Sequence, residues 1–242
     1  MSSSSSWNVV ILTLFPELYP GPLGVSVVGK ALGNDIWSLD VHNIRDYSDN
    51  KYKSVDDTVY GGGTGMVLRA EVLARAIESV FIPNGNPIYY LSPRGKVFNQ
   101  KVAKGLVKYQ GINLLCGRFE GIDERIFLEY NISELSLGDF VLSSGDIAAY
   151  SILDACVRLV PKVLDEKDAL MEESFGLCPT YENLLEYPHY TKPAVWRGHE
   201  VPEVLRGGNH EHIKKWRLQK AIEKTKNVRP ELLDRCTNGE EK

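Results

Sequence analysis

The chain has 242 residues, 43% hydrophobic and 25% charged, with a net charge of −4. Such a composition buries one large core, or one core plus a small second domain, and excludes disorder along most of the length. Its longest apolar stretches, such as VVILTLF at 9–15, fall far short of the roughly 20 residues that cross a bilayer, and the overall charge excludes a uniformly basic nucleic-acid coat.

The opening MSSSSSW lacks both the basic end and the apolar run of a secretory signal, so residues 1–6 are expected to be a disordered tail. WNVVILTLF (7–15) reads as a first buried strand and WSLDVHNI (37–44) as an alternating second. YGGGTGM follows at 60–66, then a helical pattern from about Glu71 to Val80. PIYYLSP (87–93) is a third strand, Gln100 to Lys108 a second helix, and INLLCG (112–117) a fourth strand, with a shorter one expected at FVLSS (140–144). GDIAAYSILDACVRLVP then gives the clearest helix, with Asp146 as N-cap and Pro161 as its stop. Strands alternating with helices imply a mainly parallel α/β sheet.

From Asp165 to about Pro188 the pattern loses its period and turns acidic, as in a linker or mobile loop. HEHIKKWRLQKAIEKT (210–225) is helical again, with Ile213, Trp216, Leu218, Ala221 and Ile222 apolar among lysines and arginines, and RPELL suggests a last short helix. The expected division is 7–164 for the α/β domain, 165–178 for a mobile linker and 179–242 for a small helical domain. Charge is divided in the same way. Between His189 and Arg229 ten basic residues face four acidic ones, a net of +6, so the remainder carries −10. A basic end on an acidic body points to a polyanionic partner. The four scattered cysteines suggest a reducing cytoplasm, and His210 with His212, lacking a nearby cysteine, does not make a metal site.

In parallel α/β sheets ligands bind beyond the carboxyl ends of strands. GRFEGIDER (117–125) starts where the INLLC strand stops, YLSPRGK (90–96) follows the PIYY strand, and SLGDFVLSSGD (136–146) leads into the clearest helix. Each alone is an ordinary connecting loop; together they can form one pocket rich in backbone donors and acceptors, suited to a polar heterocycle such as adenine. YGGGTGM is not a P-loop, because Met66 and Val67 follow Gly65 where lysine and a hydroxyl residue are needed. It is either a flexible loop or bare backbone that a flat base can approach. Arg158 either complements the negative end of its helix or stabilises charge in a site, and Glu172 and Glu173 are either solvated acids or functional ones.

YGGGTGM, YLSPRGK, LCGRFEGIDER, SLGDFVLSSGD, EESF, PHYTKP and NHEHIKKWR, in this order, resemble the bacterial tRNA (guanine-N1)-methyltransferases of TrmD type over about residues 7–235. The resemblance implies a SPOUT-type parallel sheet with a trefoil α/β knot, plus a small helical tRNA-binding domain and a homodimer whose active site is shared between subunits. It implies an S-adenosylmethionine pocket made by Tyr90, Leu91, Ser92 and Pro93; by Gly117, Arg118, Phe119 and Glu120; and by Ser136, Leu137, Gly138, Phe140, Leu142, Ser143, Ser144, Gly145 and Ala148. By the same resemblance Gly61, Gly62, Lys214, Lys215, Arg217 and Lys220 meet tRNA, and methyl transfer goes to N1 of the guanine at position 37, just 3′ of the anticodon. N1 carries a proton at neutral pH, so the reaction needs a base, and Glu173 occupies the matching position, with Arg158 near O6. Departures from the family pattern are Glu173 where aspartate is usual, with Glu172 beside it, and Ser144 and Ala148 in place of a glycine and a proline. A divalent ion is compatible with this chemistry, but the residues do not specify one. The alternatives are a SPOUT enzyme acting on a ribose or another base, and a non-catalytic RNA-binding protein.

Overall fold

A computed structural model describes residues 6–164 and 170–233. The expected tail apart from Ser6, residues 165–169 of the expected linker, and residues 234–242 lie outside the described residues. The chain divides after Leu164 into two compact units.

In the first unit the strands are β1 (Trp7–Thr13), β2 (Trp37–Asn43), β3 (Asp56–Thr58), β4 (Met66–Leu68), β5 (Ile88–Val97), β6 (Gly111–Cys116) and β7 (Ile132–Ser136); the helices are α1 (Ser26–Gly33), α2 (Ala70–Val80), α3 (Gln100–Leu106), α4 (Arg125–Glu129) and α5 (Gly145–Val157). Five strands form one parallel sheet in the order β2-β1-β6-β5-β7, while β3 and β4 pair antiparallel. Alternation along β1 explains why the sheet is covered on both faces. Val9 and Ile11 join one buried cluster with residues of α1, α3 and α5, and Val10 and Leu12 join another with residues of α2 and α4. Every residue of β6 is buried, as befits an inner strand.

Three expectations are corrected. FVLSS (140–144) is not a strand: Phe140 and Val141 are exposed in an irregular loop behind Gly138, whose φ is +147°. The fifth strand of the sheet is β7, an edge strand whose half-exposed residues hide its periodicity. The N-cap of α5 is Ser144, with extended backbone and a side-chain oxygen that accepts from the Asp146 amide at 3.1 Å, so Asp146 lies inside the first turn. β5 also runs past its expected end. Its register with β7 shifts between Leu91 and Lys96, and this irregularity swings Ser92 and Pro93 out of the ladder.

The second unit holds a two-stranded hairpin of β8 (Val195–Trp196) and β9 (His199–Glu200), a short α6 (Glu203–Arg206) and the long α7 (His210–Val228), capped by Asn209. Its core gathers Tyr181, Leu184, Tyr187 and Ala221, with Cys178, Leu218 and Leu233 packed against it. Ile222, one of the apolar residues of the helical pattern, is exposed. Leu218, Ala221 and Thr225 follow the i, i+3, i+7 spacing of the buried stripe, and Ile222 is rotated about 100° from Ala221. Residues 170–187 form successive turns tied by backbone bonds, among them Leu177 N to Leu170 O at 2.8 Å and Phe175 N to Leu184 O at 2.9 Å. The expected last helix is represented by bonds from Leu232 N to Arg229 O and from Leu233 N to Pro230 O, with Leu232 buried.

Candidate active site

The loops that leave β5, β6 and β7 enclose a cleft of about 310 Å³. Tyr90, Leu91, Ser92 and Pro93 make one wall; Gly117, Arg118, Phe119 and Glu120 make a second. Leu137, Phe140, Leu142, Ser143, Ser144 and Gly145, with Ala148 from α5, make the third. Ser136 and Gly138, expected at the cofactor, do not line it. The Ser136 hydroxyl donates to the Gly138 carbonyl and accepts from its amide, both at 3.1 Å, and thereby shapes the loop from behind.

The glycines explain how the walls meet. Gly145 N donates to Gly117 O at 3.0 Å, pinning the third wall to the second. A Cβ on Gly117 would lie 2.5 Å from the Tyr90 hydroxyl oxygen, so only glycine admits that ring. The Tyr90 hydroxyl is pushed up to about 12, first by burial and then by Glu134, and its ring meets Phe127 edge-on at 5.7 Å. Arg118 stacks over Phe15 at 4.6 Å and donates to the Ser143 carbonyl at 3.1 Å, a second brace between walls.

Beneath the cleft lies a buried polar cluster. Asp146 is fully buried and accepts from the Thr13 hydroxyl at 2.7 Å, from the Tyr19 hydroxyl at 3.0 Å and from the Ser144 hydroxyl. It joins the end of β1, the turn at residues 16–20 and the start of α5. The Cys116 thiol, 3.6 Å from the Tyr19 hydroxyl, is held well above its ordinary range, chiefly by burial.

Gly61 and Gly62 are exposed, with φ of +88° and +80°, and a side chain at either would meet nothing within 4 Å. The far end of their loop nevertheless joins the cleft. Glu120 N donates to Met66 O at 3.0 Å, Leu68 N to Gly121 O at 3.0 Å and Asp123 N to Leu68 O at 3.1 Å. A Cβ on Gly65 would lie 2.4 Å from Glu120 Cγ.

Arg158 is the residue directly after α5 in the first unit; Glu173 belongs to the second, where its carbonyl accepts from Gly176 N at 2.9 Å. Neighbouring Glu172 is committed within its own unit, accepting from the Tyr187 hydroxyl at 3.0 Å and from Arg217 at 3.3 Å. Burial, then the bond to Glu172, raises the Tyr187 hydroxyl to about 12. On α7, Lys214 and Lys215 are exposed, whereas Arg217 also stacks over Tyr187 at 4.9 Å and Lys220 pairs with Glu223 at 2.6 Å.

Sequence reasoning missed Arg94, Ile122, Phe127 and Val141, which also line the cleft. Arg94, Ile122 and Val141 sit inside motifs already singled out. Phe127 arrives only through its packing on Tyr90, which no local signal announces.

The family described as tRNA (guanine-1)-methyltransferase TrmD matches residues 7–235. Among curated proteins, the tRNA (guanine-N(1)-)-methyltransferase of Anaplasma phagocytophilum is 50% identical over 92% of this chain and 94% of its own length. That of Rickettsia prowazekii is 49% identical over 93% and 97%, and that of Roseobacter denitrificans 47% over 95% and 94%. A match of this extent, over a parallel sheet with a cleft at its carboxyl ends, places the chain in the TrmD family of tRNA (guanine-1)-methyltransferases.

Proposed function

We propose that the chain methylates N1 of guanosine at tRNA position 37, using S-adenosylmethionine. The observation that carries the reading is the cleft: the walls assigned to the cofactor by resemblance, apart from Ser136 and Gly138, line one cavity. The cavity suits a nucleoside, since Gly117 and Gly145 line it without side chains beside Tyr90, Leu137 and Leu142. When bound there, S-adenosylmethionine supplies an electrophilic methyl group.

The chain's own residues supply the rest. Glu173 takes the N1 proton, which frees the lone pair for attack, and Arg158 offsets the negative charge that spreads to O6. Glu173 is assigned as the base by its match to the family position, and Glu172 is bonded to Tyr187 and Arg217. Gly61 and Gly62 present bare backbone to the guanine, and Lys214 and Lys215, with Arg217 and Lys220, face tRNA phosphates. By the family resemblance, the active site is shared within a homodimer, Glu173 of one protomer serving the cleft of its partner. A trefoil knot is favoured by the return of the chain from edge strand β7 to Gly117, next to an inner strand, before α5 begins.

The test is methyl transfer from labelled S-adenosylmethionine to tRNA transcripts carrying guanine or adenine at position 37, with nucleoside mass spectrometry of the product. N1-methylguanosine formed only on the guanine transcript is expected. A methylated ribose, or no transfer by folded protein, overturns the proposal.

A further inference from the structure

The stretch from Pro188 to Glu200 is exposed at every residue, although it contains Tyr190, Val195 and Trp196. Trp196 alone leaves 59% of its surface in water, and it is absent from the core of its own unit. Exposed aromatic rings on a basic surface offer faces on which nucleic-acid bases stack.

The backbone displays Trp196 deliberately. Val195 pairs with Glu200 and Trp196 with His199, and Val201 N donates to Ala194 O at 2.9 Å, so the hairpin is closed at its base. Its two-residue turn is Arg197-Gly198, with φ of +50° and +81°. That is the geometry of the tight hairpin turns that favour asparagine or glycine at the first position. Arginine there carries left-handed backbone strain of the sort that clusters at binding sites. Its guanidinium lies over the indole at 4.9 Å, a cation held ready on an aromatic face. The charge of the surroundings fits an anionic ligand. Lys192 and Arg197 lie in the exposed stretch, its single acid Glu200 is paired with Arg206 at 3.6 Å, and Tyr190 packs against Trp216 of α7, whose neighbours are Lys214 and Lys215.

We infer that the Trp196–Arg197 hairpin tip is a stacking platform for an unpaired base of the tRNA substrate, built by residues that the methyl-transfer proposal does not use. This rests on the functional reading above and adds a contact to it: α7 lysines hold phosphates, and the hairpin holds a base by its face. Aromatic stacking tolerates any base, so the platform supplies affinity and register without sequence choice.

Equilibrium tRNA binding across a salt series separates the two kinds of contact. Trp196→Ala should weaken binding about five- to a hundredfold, from the energy of one stacked base, with the slope of log affinity against log salt unchanged. Trp196→Phe should restore most of the loss. Lys214→Ala should instead reduce that slope by about one. Circular dichroism and the thermal midpoint verify that each variant is folded, and sedimentation reports its oligomeric state. Trp196→Ala that binds tRNA as the parent does overturns the inference alone, and so does a loss that accompanies dissociation of a dimer, which would assign the tip to a second copy of the chain. A parent protein that neither binds nor methylates tRNA overturns the functional reading and this one with it.

Discussion

Replacing Asp146 by alanine tests whether the buried cluster beneath the cleft holds the loops of the proposed cofactor site in place. The carboxylate accepts from Thr13, Tyr19 and Ser144 and is fully buried, so no solvent can take its place at the surface. Orphaning a buried donor costs about 1–3 kcal/mol. Ser144 and Thr13 keep secondary roles, because the former accepts from the residue-146 amide and the latter from Phe15 N at 3.0 Å. Counting Tyr19 in full and the other two in part gives a loss of about 3–5 kcal/mol, partly offset by removal of a buried charge. For a unit of this size that lowers the thermal midpoint by roughly 6–15 °C. Asp146→Asn, which keeps one acceptor oxygen, should fall between the parent and alanine.

Calorimetric unfolding measures the first quantity and titration with S-adenosylmethionine the second. Ser144, Gly145 and Ala148 line the cleft on either side of Asp146, so donor affinity should fall in both variants, in the same order as stability. An alanine variant that melts within a degree of the parent, or one that loses stability with donor affinity intact, refutes the coupling between cluster and cleft.

Glu173→Gln should lower turnover by a factor of at least about 10² while donor binding stays as in the parent; Glu172→Gln should instead lower the melting temperature, because it weakens the bonds to Tyr187 and Arg217. Gly65→Ala forces a Cβ against Glu120 at a φ of +93° and should weaken donor affinity about tenfold, for strain of about 1–3 kcal/mol. Burial holds the thiols of Cys116 and Cys156 above their ordinary value of 9.0, Cys156 at about 12. Iodoacetamide at pH 8 should therefore modify the half-buried Cys178 and spare both in native protein, read by peptide mass mapping. The same shifts, with Tyr90 raised from 10.0 to about 12, set the alkaline limit of stability. These groups ionise earlier in the unfolded chain, so their contribution is complete below about pH 9 and is lost as pH climbs towards 12, which a urea midpoint series from pH 7 to 11 would trace.

The inner strands were legible because burial on both faces leaves continuous apolar runs, as in INLLC. The edge strand β7 was not, because its alternating exposure resembles a loop, while FVLSS carries strand-forming residues into a segment that has no partner strand. Ser-Ser-Gly-Asp offers several capping candidates in a row, and only the inward turn of Asp146 distinguishes them. The cleft was readable because glycine and serine at strand ends mark where backbone must turn and stay bare. The fate of Arg217 was not, since its partner Glu172 lies 45 residues away. Lys220 with Glu223 is a local helical pair that spacing alone could have flagged.

The clasp of Tyr187 and Arg217 on Glu172 gives the two halves of the chemistry different thermal fates. Its neighbour, the proposed proton acceptor, inherits its address from the small core around Tyr181, Leu184, Tyr187 and Ala221, whereas the proposed methyl-donor cleft draws on the large sheet. Warming should thus silence methylation while the donor still binds, making the lesser unit the thermostat of the enzyme.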